Sequence, residues 1–153
     1  MIYILTALKA EAQAFIEKFK LYPSHANHYI SIHISGLGSQ NMYLATKDIV
    51  KKLQKNDIII NVGICAAQKH YPIGTLLPQD VMLTCVDEPQ EGCSEYEAVD
   101  MESKGFLQAT QGIEKRYMFK VVSDHFQPKK VTKELTKQLI YNQIETILKA
   151  ADA

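Results

Sequence analysis

Val99-Asp100-Met101-Glu102-Ser103 decides how this chain is read. Apolar and polar residues alternate across it with the period of a strand. The run then delivers the Glu102 carboxylate into the start of a helix that extends to about Gly112. Two further acids hold comparable places. Asp124 follows the apolar strand over 117–123, and Glu11 opens the helix that comes after a strand over 2–6. In open α/β sheets ligands bind beyond the carboxyl ends of the strands, so side chains at strand-to-helix junctions converge on one cleft. The pattern predicts an acid-rich small-molecule site.

Working outward, residues 2–6 form a nearly continuous apolar run, as expected of a strand covered on both faces. Leu8, Ala12, Phe15, Ile16 and Phe19 then recur at helical spacing. A second βα unit follows: a strand over 29–34, the turn Ser35-Gly36-Leu37-Gly38-Ser39, and a helix carrying Met42, Ala45, Ile49, Val50 and Leu53. Residues 57–62 read as a buried strand ending at Gly63, and 74–85 as another extended segment flanked by Pro72 and Pro78. Residues 87–92 read as a surface loop, and Leu135, Leu139, Ile140, Ile144, Ile147 and Leu148 mark a last helix. Alternating β and α elements with short connections predict an α/β three-layer sandwich around a mixed or mostly parallel sheet, as a single domain over 1–153.

Composition narrows the function. Seventeen basic residues balance seventeen acidic ones, so no global field favours nucleic acid or an anionic membrane. Arg116 is the single arginine, and arginine supplies the bidentate fork commonly used to clamp phosphate. Cys65, Cys85 and Cys93 form an odd set without metal-ligand spacing, which points to core thiols in a reducing cytoplasm. The apolar opening is broken by Lys9 and Glu11, far short of a membrane span. His25, His28, His33 and His70 show no ligand pattern, so neither a metal nor a cofactor is expected.

Thr6-Ala7-Leu8-Lys9-Ala10-Glu11, Ser35-Gly36-Leu37-Gly38, Asn61-Val62-Gly63, Val99-Asp100-Met101-Glu102 and Val122-Ser123-Asp124 occur in an order and spacing that resembles the nucleoside phosphorylase and nucleosidase superfamily. The resemblance is closest to its methylthioadenosine/S-adenosylhomocysteine nucleosidase branch, with a shortened middle segment between Cys85 and Val99. It implies a phosphorylase/hydrolase-like fold, a nucleoside as the bound partner and a homo-oligomer. It also implies roles. Asp124 would protonate the purine, Glu11 would orient the attacking water, Glu102 would accept hydrogen bonds from the ribose hydroxyls, and Met101 would pack on the sugar. Gly63 and Ser123 would complete the substrate-binding set. Gly36 and Gly38 could offer backbone amides to phosphate, and Lys120 stands near a phosphate-clamping arginine of phosphorylase relatives. Three departures accompany the resemblance: the short middle segment, the bulkier strand end Gly63-Ile64-Cys65-Ala66-Ala67, and His125-Phe126 where the family places small residues.

Glycosidic cleavage builds positive charge on the ribose and negative charge on the departing base, and a pair of carboxyl groups can divide the acid and base work. The leading expectation is hydrolysis of a purine nucleoside or 5′-thionucleoside. The alternatives are phosphate-dependent cleavage, or a non-catalytic nucleoside-binding or interaction protein of the same fold. Each acid also has a bland reading: Glu102 as a helix-terminus charge, Asp124 as a turn cap, Glu11 on a solvated helix face.

Overall fold

In the computed structural model, which describes every residue except Cys93, β1 (Ile2–Thr6) leads through α1 (Lys9–Phe19) to β2 (Ile30–Ile34). α2 (Ser39–Val50) leads on to β3 (Ile58–Ala67), the longest strand. β4 (Leu83–Cys85), β5 (Ala98–Asp100), α3 (Ser103–Ala109), β6 (Arg116–Asp124), a single 3₁₀ turn at Pro128–Lys130 and α4 (Lys133–Ala150) complete the chain. Six strands form one sheet in the order β2-β1-β3-β5-β4, with β6 along the other side of β3. Neighbours run parallel except β5, which meets β3 antiparallel. The sheet is therefore mixed and mostly parallel, as the alternation of elements predicts.

Strand pleating distributes side chains between two helical layers. Ile60 and Val62 of β3, with Ile4, Ile32, Phe119 and Val121, pack against Phe15 and Ile16 of α1 and Ile140, Ile144 and Ile147 of α4. Leu5 and Ile59 point the other way, toward Met42 and Ile49 of α2 and Phe106 of α3. Each such side chain contributes about 1.5–3 kcal/mol by leaving water. α2 and α3 approach closely because Gly105 has no side chain: a Cβ there would lie 2.0 Å from the Ser39 carbonyl oxygen. α4 starts at Thr132, whose hydroxyl oxygen accepts from the Leu135 amide at 3.1 Å, a cap worth about 1 kcal/mol.

Four boundaries differ from the sequence expectation by more than one residue, the first being α2, which ends at Val50 and leaves Leu53 outside it. β3 continues past Gly63 to Ala67, because β6 pairs with it as far as Ala66 and β5 joins at Ala66 and Ala67. Within 74–85 only β4 is a strand; ahead of it, Gly74, Thr75 and Leu77 hydrogen-bond to the outer side of β6 until Pro78 ends the run. α3 stops at Ala109, short of Gly112. Cys65 is buried and Cys85 half-buried, whereas the expectation for Cys93 lies outside the described residues. Among the described residues no helix is long and apolar enough to cross a membrane.

Candidate active site

β3 changes neighbours along its length, and the site forms at the change. β1 pairs with it through Asn61, and β5 does not join on that side until Ala66. Between them the Ile64 amide has no strand partner and donates instead to Glu11 Oε2 at 2.9 Å. Glu11 Oε1 accepts from the Ala7 and Leu8 amides at 3.1 and 2.8 Å. Glu11 is the third residue of α1, where an acid can reach back to the backbone ahead of the helix; Leu8 in the capping position leaves that capping one-sided. Burial is the largest influence on Glu11 and pushes it up to about 7, against the pull of Lys120 and of its backbone donors.

Asp124 arrives by a second irregularity. The β3–β6 register shifts between Cys65 and Ala66, so that Ser123 is the extra residue of a bulge, and both Ser123 and Asp124 line the same cleft. The Ser123 hydroxyl lies 2.7 Å from Asp124 Oδ1 and 3.1 Å from the Cys65 carbonyl oxygen. It has one proton for two acceptors. An ionised Asp124 takes that proton's hydrogen bond, whereas a protonated Asp124 can donate to Ser123 and release the hydroxyl toward Cys65, so the seat serves both states. Asp124 Oδ2 accepts from the Gln127 amide at 2.8 Å across a turn that holds the buried Phe126 at a φ of 61°. Phe126 is thus part of the turn geometry, and His125 is directed to the Tyr71 carbonyl oxygen at 2.8 Å.

Glu102 sits at the start of α3 and accepts from the Gly38 amide at 2.8 Å through Oε2, leaving Oε1 without a protein partner among the described residues. Burial raises its pKa, with the Gly38 amide and Lys120 opposing. Asp100 fixes the turn beneath it: its Oδ2 accepts from the Ser103 amide at 2.8 Å and the Glu102 amide at 3.3 Å, and its Oδ1 from the Ser103 hydroxyl at 2.5 Å.

A cleft of about 310 Å³ unites these groups. Glu11, Met101, Glu102, Ser123 and Asp124 line it, among apolar walls that include Leu8, Leu37 and Val99. The short connection between β4 and β5 contributes Val86, Pro89 and Gln90 to the same cleft. Burial pushes the Cys65 thiol in its floor up to about 12, so it stays protonated.

Four expected site residues are placed differently. Gly63 does not line the cleft; it makes room behind it, since a Cβ there would lie 3.0 Å from Glu11 Oε2 and 3.1 Å from Lys120 Nζ. The expected phosphate group is already engaged within the protein. Lys120 is buried, with its ammonium 2.9 Å from Asp100 Oδ2; the Gly38 amide serves Glu102, and the Gly36 amide donates to the Ala7 carbonyl. Sequence reasoning assigned no role to Asp100, although an acid three residues before Ser103 at a helix start is a capping signal. Among the described residues no three His, Cys, Asp or Glu side chains group as metal ligands.

The sequence matches no protein-family model and no curated protein. Its fold has clear counterparts. A 5′-methylthioadenosine/S-adenosylhomocysteine nucleosidase of Helicobacter pylori, solved as a D198N mutant with 5′-methylthioadenosine in the active site, aligns at TM-score 0.74 and 13% identity, over 99% of this chain and 98% of that one. A futalosine hydrolase of the same organism aligns at TM-score 0.74 and 12% identity, over 99% and 97%. A nucleosidase structure from Chlamydia trachomatis aligns at TM-score 0.71 and 17% identity, over 97% of each chain. With this strand order and coverage, the chain has a nucleoside phosphorylase/nucleosidase-like fold.

Proposed function

We propose that the protein cleaves the N-glycosidic bond of a purine nucleoside or 5′-thionucleoside with water. The observation that carries this reading is the convergence of Glu11, Glu102 and Asp124 on one largely apolar cleft, at the break between β1 and β5. In it, Glu102 Oε1 accepts from the ribose hydroxyls and Met101 packs on the sugar. Asp124, seated by Ser123 and the Gln127 amide, delivers a proton to the departing base. Glu11, whose pKa stands near neutrality, orients water and takes its proton. The bond between the anomeric carbon and the base nitrogen breaks as the water oxygen bonds to that carbon.

Hydrolysis is favoured over phosphorolysis because Lys120 and the Gly38 amide are held by Asp100 and Glu102. The neighbours crystallised with 5′-methylthioadenosine or with butyl-thio-DADMe-Immucillin-A support a nucleoside-sized ligand. Our reading also includes a cytoplasmic homo-oligomer, to be checked by fractionation and light scattering.

The test is chromatographic detection of free base from methylthioadenosine, adenosylhomocysteine, inosine, adenosine and uridine, with and without phosphate, using wild type and Asp124→Asn. Phosphate-independent release that the variant loses while staying folded is expected. Release only with phosphate would move the reading to a phosphorylase. Binding without release would move it to a nucleoside-binding protein.

A further inference from the structure

Among the described residues Lys120 is the one cation within the cluster of cleft acids, and it lies behind the cleft rather than in its lining. We propose that Lys120 is a positioning residue: anchored on Asp100, its buried ammonium supplies the countercharge that holds Glu11 and Glu102 in place for the reaction, without touching substrate.

Three pieces of geometry carry this. Lys120 Nζ lies 2.9 Å from Asp100 Oδ2, and both side chains are essentially inaccessible to water. The same oxygen accepts from the amides of Glu102 and Ser103, so the ion pair fixes the turn that presents Glu102. Finally, a Cβ on Gly63 would lie 3.1 Å from Lys120 Nζ and 3.0 Å from Glu11 Oε2, so both charged ends border the small space that the glycine leaves open.

The charges around this point come from every packed element. Glu11 belongs to α1, Asp100 to β5 and Glu102 to the start of α3; Asp124 ends β6, and the Cys65 thiol of β3 lies nearby. Burial pulls Lys120 down, but Asp100, Glu102 and Glu11 outweigh it and keep its pKa above that of an ordinary lysine, so it stays charged. Without that charge the same burial would drive protons onto the acids. Glu11 would respond first, because burial has already brought it near neutrality and Lys120 is the leading influence against it.

The kinetic arm of the test rests on the hydrolytic reading; the titration arm does not. Wild type, Lys120→Met, Lys120→Arg and the double variant Asp100→Asn/Lys120→Met are compared as full chains. Glu11 is titrated by carboxyl ¹³C NMR, and kcat/KM for base release is followed from pH 5 to 9. Lys120→Met is expected to raise the Glu11 midpoint and the acid limb of the profile by about one pH unit, roughly a fivefold loss of rate at pH 7. Lys120→Arg should restore most of it. If the single variant fails to fold with Asp100 unpaired, the double variant removes both charges and should show the same rise. An unmoved Glu11 midpoint in a folded variant, or a uniform rate loss with an unmoved limb, would overturn the proposal. If wild type releases no base, the hydrolytic reading fails while the NMR midpoint still decides the role of Lys120.

Discussion

Glu11 makes folding itself depend on pH, in a direction opposite to that of most acids. A carboxylate that gains partners on folding usually drops in pKa and stabilises the protein above its unfolded value. Glu11 instead rises from 4.5 to about 7, so between those values the folded chain binds a proton that the unfolded chain has lost. Stability from this group is therefore intact below pH 4.5 and is lost as pH climbs through 7. At about 1.4 kcal/mol per unit of pKa the full loss is about 3 kcal/mol. Glu11→Gln abolishes the titration. It also turns an amide toward the Ile64 N–H, so the variant carries a constant penalty from two donors facing each other. Urea unfolding of both proteins at several pH values from 4 to 8 separates the two effects. The constant penalty shifts the whole curve, whereas the titration makes the variant gain about 3 kcal/mol on wild type from the acid to the alkaline end. Parallel stability curves would refute the reasoning, because every other titrating group is shared.

Two glycines should respond differently to the same added methyl group. Gly105→Ala places a Cβ 2.0 Å from the Ser39 carbonyl oxygen and 2.9 Å from the Tyr43 amide nitrogen, both backbone, so α2 and α3 must separate. Overpacking of about 1–3 kcal/mol or more should outweigh the roughly 1 kcal/mol gained in helix propensity and lower Tm by several degrees; an unchanged or higher Tm would sink this. Gly63→Ala meets only the ends of two side chains, at 3.0 and 3.1 Å, which can give way. Its stability change should be smaller, and moving Lys120 away from Glu11 should raise the acid limb of the rate profile as Lys120→Met does; a large Tm loss with an unmoved limb would contradict it.

The apolar periodicities of the helices and the βα alternation were legible because burial and side-chain period are local to each element. Glu11, Met101, Glu102, Ser123 and Asp124 could be gathered because each stands at a strand end or helix start, where a parallel sheet collects its side chains. Tertiary hydrogen bonding was not legible. Past Gly63, Ile64-Cys65-Ala66-Ala67 is strand because β6 and then β5 supply partners, and no feature of those four residues announces either. Lys120 misled for a related reason. A lysine near a phosphorylase arginine reads as an anion binder, and only the fold reveals Asp100 beside it with Gly63 opening the space.

The discontinuity in the sheet explains why a carboxylate is buried at this point of the structure. A parallel strand that loses its neighbour exposes an unpaired amide, and in a dry interior that amide demands an acceptor. Glu11 meets the demand at Ile64 while accepting from Ala7 and Leu8. Three donors would ordinarily hold a carboxylate well below 4.5, yet burial overcomes them and leaves Glu11 near 7, where it can both hold and accept a proton. If β1 continued alongside β3, the Ile64 amide would be satisfied by backbone and the gap closed. The interruption thus creates the cleft and, through the amide it strands, requires a buried acid at its edge.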